Sequence, residues 1–306
     1  MRLFLTGASG LVGSNILPVA RRRGHEVVAV RGSWQGQIPE AANVIQVDLS
    51  DRQAVQAVIL AHFPDAIINA AGVTEPFMCD RDPKGSASIN SALPELLAQI
   101  AHHLSARFVH LSSEQVFDGN SPPYERDRTP SPLNLYGRQK ADAERRVQSA
   151  APEHAITLRL PLLNGNSLSG TRSLHERLFE LWASGQPAQL FHDEIRQPCG
   201  AENVAELAIE MCERTDLTGI FNWAGSEALS RLEMGLRVLD RFGLPDDMVV
   251  AQTQKDVPNG EDRPADLSLD LADLTGKLKT PVQDFATQLE NLIVPPPFRK
   301  WYHQQG

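Results

Sequence analysis

Tyr136 and Lys140 stand four residues apart in the stretch Tyr136-Gly137-Arg138-Gln139-Lys140, which opens an expected helix through Val147. One helical turn separates them, so they share a face. A tyrosine near its ordinary pKa of about 10 is a poor base and a modest acid at neutral pH. An ammonium about 4 Å away, at an effective dielectric of about 20, stabilises the phenolate by about 4 kcal/mol. That is the preference needed to bring the phenol near 7, so Lys140 has the type and spacing to tune Tyr136. A serine at a neighbouring strand end, in Leu111-Ser112-Ser113-Glu114-Gln115, can hydrogen-bond the oxygen that Tyr136 protonates.

A second constellation lies at the start of the chain. The apolar run Leu3 to Leu5 stops at Thr6-Gly7, glycines follow at 7, 10 and 13, and a helical pattern begins with Leu11 and Val12. Strand, glycine turn and helix aim backbone N–H groups and a helix N-terminus at one point, a ready site for a pyrophosphate. Gly7 permits the tight turn, Gly10 the approach of the phosphates, and Gly13 the packing of helix on strand. In dinucleotide-binding folds the residue after the second strand meets the adenosine ribose. Here it is Arg31, which suits a 2′-phosphate where an acid would repel one, so NADP is expected ahead of NAD.

The elements that must hold these residues alternate. Strands are expected at His25–Val30, Asn43–Val47, Asp65–Gly72 and Phe108–Ser112, with Asp51 capping a helix and another helix from about Ser86 to His103. This spacing predicts an α/β fold, a parallel, doubly wound Rossmann sheet. Residues 1–165 form the dinucleotide-binding domain of this scheme. Residues 166–306 are mostly a smaller substrate-binding lobe, with about 200–225 returning to the sheet. Lobe helices are expected over Ser173–Ser184, Leu229–Phe242 and Pro281–Leu292, while the helix Glu202–Arg214 and a strand at Gly219–Trp223 return to the sheet. The proline-interrupted tail is expected to be surface-docked or frayed.

The chain has 306 residues and a net charge of −9, against a nucleic-acid or anionic-membrane partner. The one basic run, Arg21-Arg22-Arg23, is expected to be a solvated helix end. No apolar run has the length of a membrane span. The glycine turn comes almost at once, so no signal peptide is expected ahead of it. Cys79, Cys199 and Cys212 are odd in number and widely spaced, which points to structural thiols in a reducing cytoplasm. His102 and His103 are adjacent on a helix, so they cannot ligate one ion together. No metal is expected.

The segments TGASGLVG, NAAG, LSSEQVFDG, YGRQKADAE, LRLPLLNG and RPADLSLD together resemble the extended short-chain dehydrogenase/reductase superfamily. Within it they are most similar to the dTDP-4-dehydrorhamnose reductase family, over nearly the whole chain. The resemblance implies NAD(P)H-dependent reduction at C4 of a 4-keto-6-deoxy sugar nucleotide. Its catalytic residues fall on Ser113, Tyr136 and Lys140, the lysine also holding the nicotinamide ribose. Dinucleotide contacts are expected from Gly7, Ser9, Gly10, Leu11, Val12 and Gly13 in the turn, Arg31, Asp48 and Leu49 after the next two strands, and Ala70, Ala71 and Gly72 after the fourth, with Tyr136 and Lys140. Substrate contacts are expected from Ser112, Ser113, Glu114 and Leu162, with Arg196 and Arg263 as diphosphate candidates. An ion pair from Arg196 to Asp193 or Glu194 is an equal reading. A homodimer is the family habit.

Three departures surround the expected sugar pocket. Leu162 replaces a tryptophan, Gln115 a tyrosine, and Val73-Thr74-Glu75-Pro76-Phe77 the family's Tyr-Thr-x-Val-Asp. Gln115 also disfavours an epimerase or dehydratase, because a glutamine cannot act as the base of an elimination. The altered pocket leaves a second reading, a non-catalytic dinucleotide-binding regulatory subunit. The β regulatory subunit of methionine adenosyltransferase, which resembles the same family, holds such a role.

Overall fold

The computed structural model describes residues 1–258 and 263–305. In chain order the first elements are β1 (Arg2–Thr6), α1 (Leu11–Arg22), β2 (Glu26–Arg31), β3 (Asn43–Gln46), α2 (Arg52–His62) and β4 (Ala66–Asn69). Next come α3 (Pro76–Arg81), α4 (Pro83–Ala87), α5 (Leu93–Leu104), β5 (Arg107–Ser113), α6 (Leu135–Ala150) and β6 (Ala155–Leu160). Then follow β7 (Leu163–Asn164), α7 (Leu174–Ala183), β8 (Ala188–Phe191), β9 (Ile195–Arg196), β10 (Cys199–Gly200), α8 (Ala201–Glu213) and β11 (Gly219–Asn222). The chain ends with β12 (Leu229–Ser230), α9 (Arg231–Phe242), β13 (Val249–Gln252), α10 (Phe285–Glu290) and α11 (Arg299–Tyr302).

Seven strands form one parallel sheet in the order β11-β6-β5-β4-β1-β2-β3. The chain winds one way from β1 to β3 and the other way from β4 onward. Their carboxyl ends diverge at the β1/β4 pair, the switch point where such sheets leave a crevice. Alternation along β1 feeds both faces. Leu3 and Leu5 are buried with Ile16 and Leu17 of α1 and Val204 and Leu207 of α8. Phe4 points oppositely, into Val55 and Ile59 of α2 and Leu97 of α5. Strands covered on both faces read as continuous apolar runs, which is why they are so plain in the sequence.

The expected helix from Ser86 to His103 is instead α4, a π-helical turn over Ser88–Ala92, and α5. The wide turn aims Asn90 at the segment after β4, where its side chain bonds Val73 N and O, each at 2.9 Å. The expected helix over Pro281–Leu292 shortens to α10, capped by Asp284. The expected helix start at Leu229 is strand β12, antiparallel to β9, and Ser230 then caps α9 with Glu233. The basic run is not merely solvated. Arg22 and Arg23 pair with Glu206, and Arg23 also with Glu213 at 2.8 Å, tying α1 to α8.

A third core holds the remaining layer together, with Leu178, Phe179 and Trp182 of α7 against Met234, Val238 and Phe242 of α9. The tail is docked here: Trp301 and Tyr302 pack on this core, and Tyr302 Oη donates to Phe242 O at 2.7 Å. Gly306 lies outside the described residues.

Candidate active site

The glycine turn closes tightly on the sheet. Gly7 has φ of +70°, and a Cβ there would lie 2.6 Å from the Ala70 carbonyl and Ala71 N. A Cβ at Gly13 would lie 2.1 Å from Gly7 O, so only glycine lets α1 pack this close. Gly10 is the N-cap of α1 and no side chain caps the helix. Beside the turn is a cleft of about 690 Å³. Eight residues expected at a dinucleotide line it: Gly7, Ser9, Gly10, Asp48, Leu49, Ala70, Ala71 and Gly72.

Six expected contacts do not line it: Tyr136 and Lys140, described below, and four around the turn. Leu11 and Val12 stand on α1 beyond the cleft wall, Val12 packing on the first core, and Gly13 is buried against the turn. Arg31 turns beneath the following loop, donating from Nη1 to Gly36 O at 3.2 Å, with its buried Nε unpartnered. In its place Gly32, Ser33 and Trp34 line the cleft, and so does Arg172 from the far side of the chain. A glycine-lined cleft at the uncapped N-terminus of α1 fits the pyrophosphate of a dinucleotide.

Ser113 ends β5, and α6 brings Tyr136 and Lys140 to it, all three buried. Asn134 sets the start of α6 by accepting from Gly137 N at 2.8 Å, while its Nδ2 donates to Gln115 Oε1 at 2.8 Å. Gln115 thus fastens the tyrosine helix to the end of β5. Burial pushes the Tyr136 phenol up to about 12, with the neighbouring Ser113 hydroxyl pulling the other way. The expected tuning by Lys140 is not what the structure holds. Lys140 Nζ donates to Leu111 O at 2.5 Å, and burial lowers its own pKa to about 8. The β5 carbonyl of Leu111 holds the ammonium. Burial thus favours the protonated form of the Tyr136 phenol.

Ser112, an expected substrate contact, is bonded within the scaffold. Its side chain points opposite to that of Ser113, and its hydroxyl donates to Glu144 Oε1 at 2.6 Å. Glu144 is locked in a buried bidentate pair with Arg159, at 2.8 Å, and Arg159 reaches on to Arg126 O. This network ties α6 to β5 and β6.

A charged cluster lies past the end of β5. Glu114 pairs with Arg196 at 3.2 Å, Arg196 with Glu194 at 3.2 Å, and Glu194 with Arg263 at 2.8 Å. Arg231, which the sequence analysis missed, stands 3.8 Å from Glu194. Arg196 is buried and also donates to Pro264 O, so it is a scaffold and not a free diphosphate ligand. Its pairing to Glu194 was one of the two readings. Arg263 stacks over Phe191 at 4.9 Å with nearly half its side chain exposed, and so remains open to an anion. Burial raises the Glu114 carboxyl to about 8, against the pull of Arg196 and Arg231, and its Oε2 has no partner. Leu162 packs on the third core at the edge of this region.

Among the described residues no group of His, Cys, Asp and Glu could hold a metal ion, and no helix is long and apolar enough to cross a membrane. The sequence pattern of the RmlD substrate binding domain family matches residues 1–295. The chain belongs to that family. Among its relatives is methionine adenosyltransferase 2 subunit beta of Xenopus laevis, 32% identical over 80% of this chain and 73% of the relative. A probable low-salt glycan biosynthesis reductase of Haloferax volcanii is 29% identical over 91% of this chain and 92% of its own. The crystal structure of a hypothetical dTDP-4-dehydrorhamnose reductase from Sulfolobus tokodaii superposes with a TM-score of 0.82 at 27% identity. It covers 96% of this chain and 100% of that one.

Proposed function

We propose that this RmlD-family chain is an NADP-dependent reductase of a 4-keto-6-deoxy sugar nucleotide. The observation that carries this reading is the convergence of Ser113 and Tyr136 at the end of β5, within a sheet whose switch point holds the glycine-lined cleft. A nicotinamide dinucleotide in that cleft would supply the hydride that reduces C4. Gly7, Gly10 and the open N-terminus of α1 would hold its pyrophosphate, and Ala70 to Gly72 leave room for it at the end of β4.

Tyr136 gives its proton to the oxygen on C4 as that oxygen gains charge, and the Ser113 hydroxyl donates a hydrogen bond to the same oxygen. The phenolate left on Tyr136 regains a proton from water. A high phenol pKa suits this direction, because an alkoxide is a stronger base still. Lys140, anchored on Leu111 O, keeps two further N–H groups for the ribose of the dinucleotide. On this reading the sheet with β11 carries the dinucleotide, and most of residues 166–306 closes over the sugar. Arg263 is the arginine left to meet the substrate diphosphate. The test is NADPH consumption with dTDP-4-keto-6-deoxy sugars: turnover supports the reading, and none with any such nucleotide, despite NADPH binding, refutes it.

Two observations favour a second reading, a non-catalytic subunit of another enzyme. Arg196 is consumed by Glu114 and Glu194. A relative at 32% identity is named as a subunit of methionine adenosyltransferase. Affinity capture that yields no stable hetero-partner contradicts this alternative.

A further inference from the structure

Two arginines flank the start of α7, and their situations differ. Arg177 is paired with Glu75, from the segment after β4, at 2.7 Å. Arg172, five residues earlier, lines the glycine-turn cleft, and its guanidinium has no hydrogen-bond or ion-pair partner among the described residues. A lone exposed arginine is ordinarily a solvated side chain on a loose stem, but this stem is fixed. The buried Glu176 carboxylate accepts from Ser167 N, Ser167 Oγ and Arg172 N, each at 2.7 Å, and from Ser173 N at 3.0 Å. One carboxylate therefore sets the whole loop that carries Arg172 to the cleft.

We propose that Arg172 grips a phosphate of the dinucleotide, so that a lobe residue completes the binding site begun by the glycine turn. The inference rests on the dinucleotide reading of the cleft. Backbone N–H groups and a helix N-terminus approach the anion from the sheet side, and a guanidinium approaches it from the lobe side. Charge-assisted hydrogen bonds from an arginine fork are among the strongest available to a phosphate. The phosphate then does between sheet and lobe what Glu75 already does for Arg177. Glu176 is the positioning residue of this contact.

The test is fluorescence titration of NADPH and NADH into the full chain and its Arg172→Ala, Arg172→Lys and Glu176→Gln variants. Arg172→Ala weakens binding about tenfold or more, and Arg172→Lys recovers part of it. Equal losses for both dinucleotides place the contact on the pyrophosphate, and a loss confined to NADPH places it on the 2′-phosphate. Glu176→Gln weakens binding in the native background and has no further effect when Arg172 is already alanine, which a merely structural role would not produce. Unchanged affinity of Arg172→Ala for both dinucleotides overturns the inference alone. A native chain that binds neither dinucleotide overturns the reading beneath it as well.

Discussion

Gly137 follows the proposed acid, and its contact with β5 sets where the tyrosine helix can sit. A Cβ at this position would lie 2.1 Å from Gln115 O and 2.9 Å from Pro132 Cβ. A carbon and a carbonyl oxygen come no closer than about 3.3 Å, so in Gly137→Ala the helix must retreat by about 1 Å. Overpacking of this kind costs about 1–3 kcal/mol of stability. A displacement of about 1 Å between Tyr136 and Ser113 costs on the order of 100-fold in kcat. Steady-state NADPH oxidation with the sugar nucleotide, beside a denaturant melt, reads both quantities. Dinucleotide affinity changes less than turnover, since the glycine turn is on another element and, of the proposed dinucleotide contacts, only Lys140 moves with α6. Gly137→Ala with native turnover would refute the claim that α6 docking on Gln115 sets the Tyr136–Ser113 geometry.

Other consequences follow from individual contacts. Tyr136→Phe lowers turnover by about 100-fold or more while leaving the NADPH affinity within about twofold, as rate and binding assays on one preparation will show. Arg159→Ala strips the partner from buried Glu144 and costs about 3–5 kcal/mol in chemical denaturation. His175 is buried beside Phe242, and burial lowers its pKa from 6.5 to about 4. The unfolded chain then binds the extra proton first, so stability falls as pH drops from about 6.5 toward 4. Melting temperature against pH shows this slope in the native chain and a shallower one in His175→Gln.

Much of the sheet was legible because its central strands are buried on both faces and its turns are glycine- or Asp-capped. Asp51 caps α2 through Gln53 N and Ala54 N as its position implied. Tyr136 and Lys140 are both buried on α6, but spacing does not reveal competing acceptors. The carbonyl of Leu111 belongs to a strand distant in sequence, and it captures the ammonium. Ser112 failed for a related reason: of two adjacent serines only one can point to the cleft, and the other met a buried Glu144. The charged residues beyond β6 were the least readable. Arg196, Arg231 and Arg263 differ in role only through a shared Glu194, which no local pattern announces. Arg172 left no signal beyond the Ser173–Glu176 capping box that follows it. The π-helical turn at Ser88–Ala92 was hidden because its apolar spacing resembles that of an ordinary helix.

The central claim is hydride transfer to a sugar carbon with Tyr136 supplying the proton. The most direct measurement uses NADPH deuterated at the transferable C4 position, with a dTDP-4-keto-6-deoxy sugar, and reads the product by mass and NMR. The account predicts one deuterium at C4 of the sugar in the native protein and almost none with Tyr136→Phe. Tight NADPH binding with no deuterium reaching any sugar nucleotide would contradict it and favour the subunit reading.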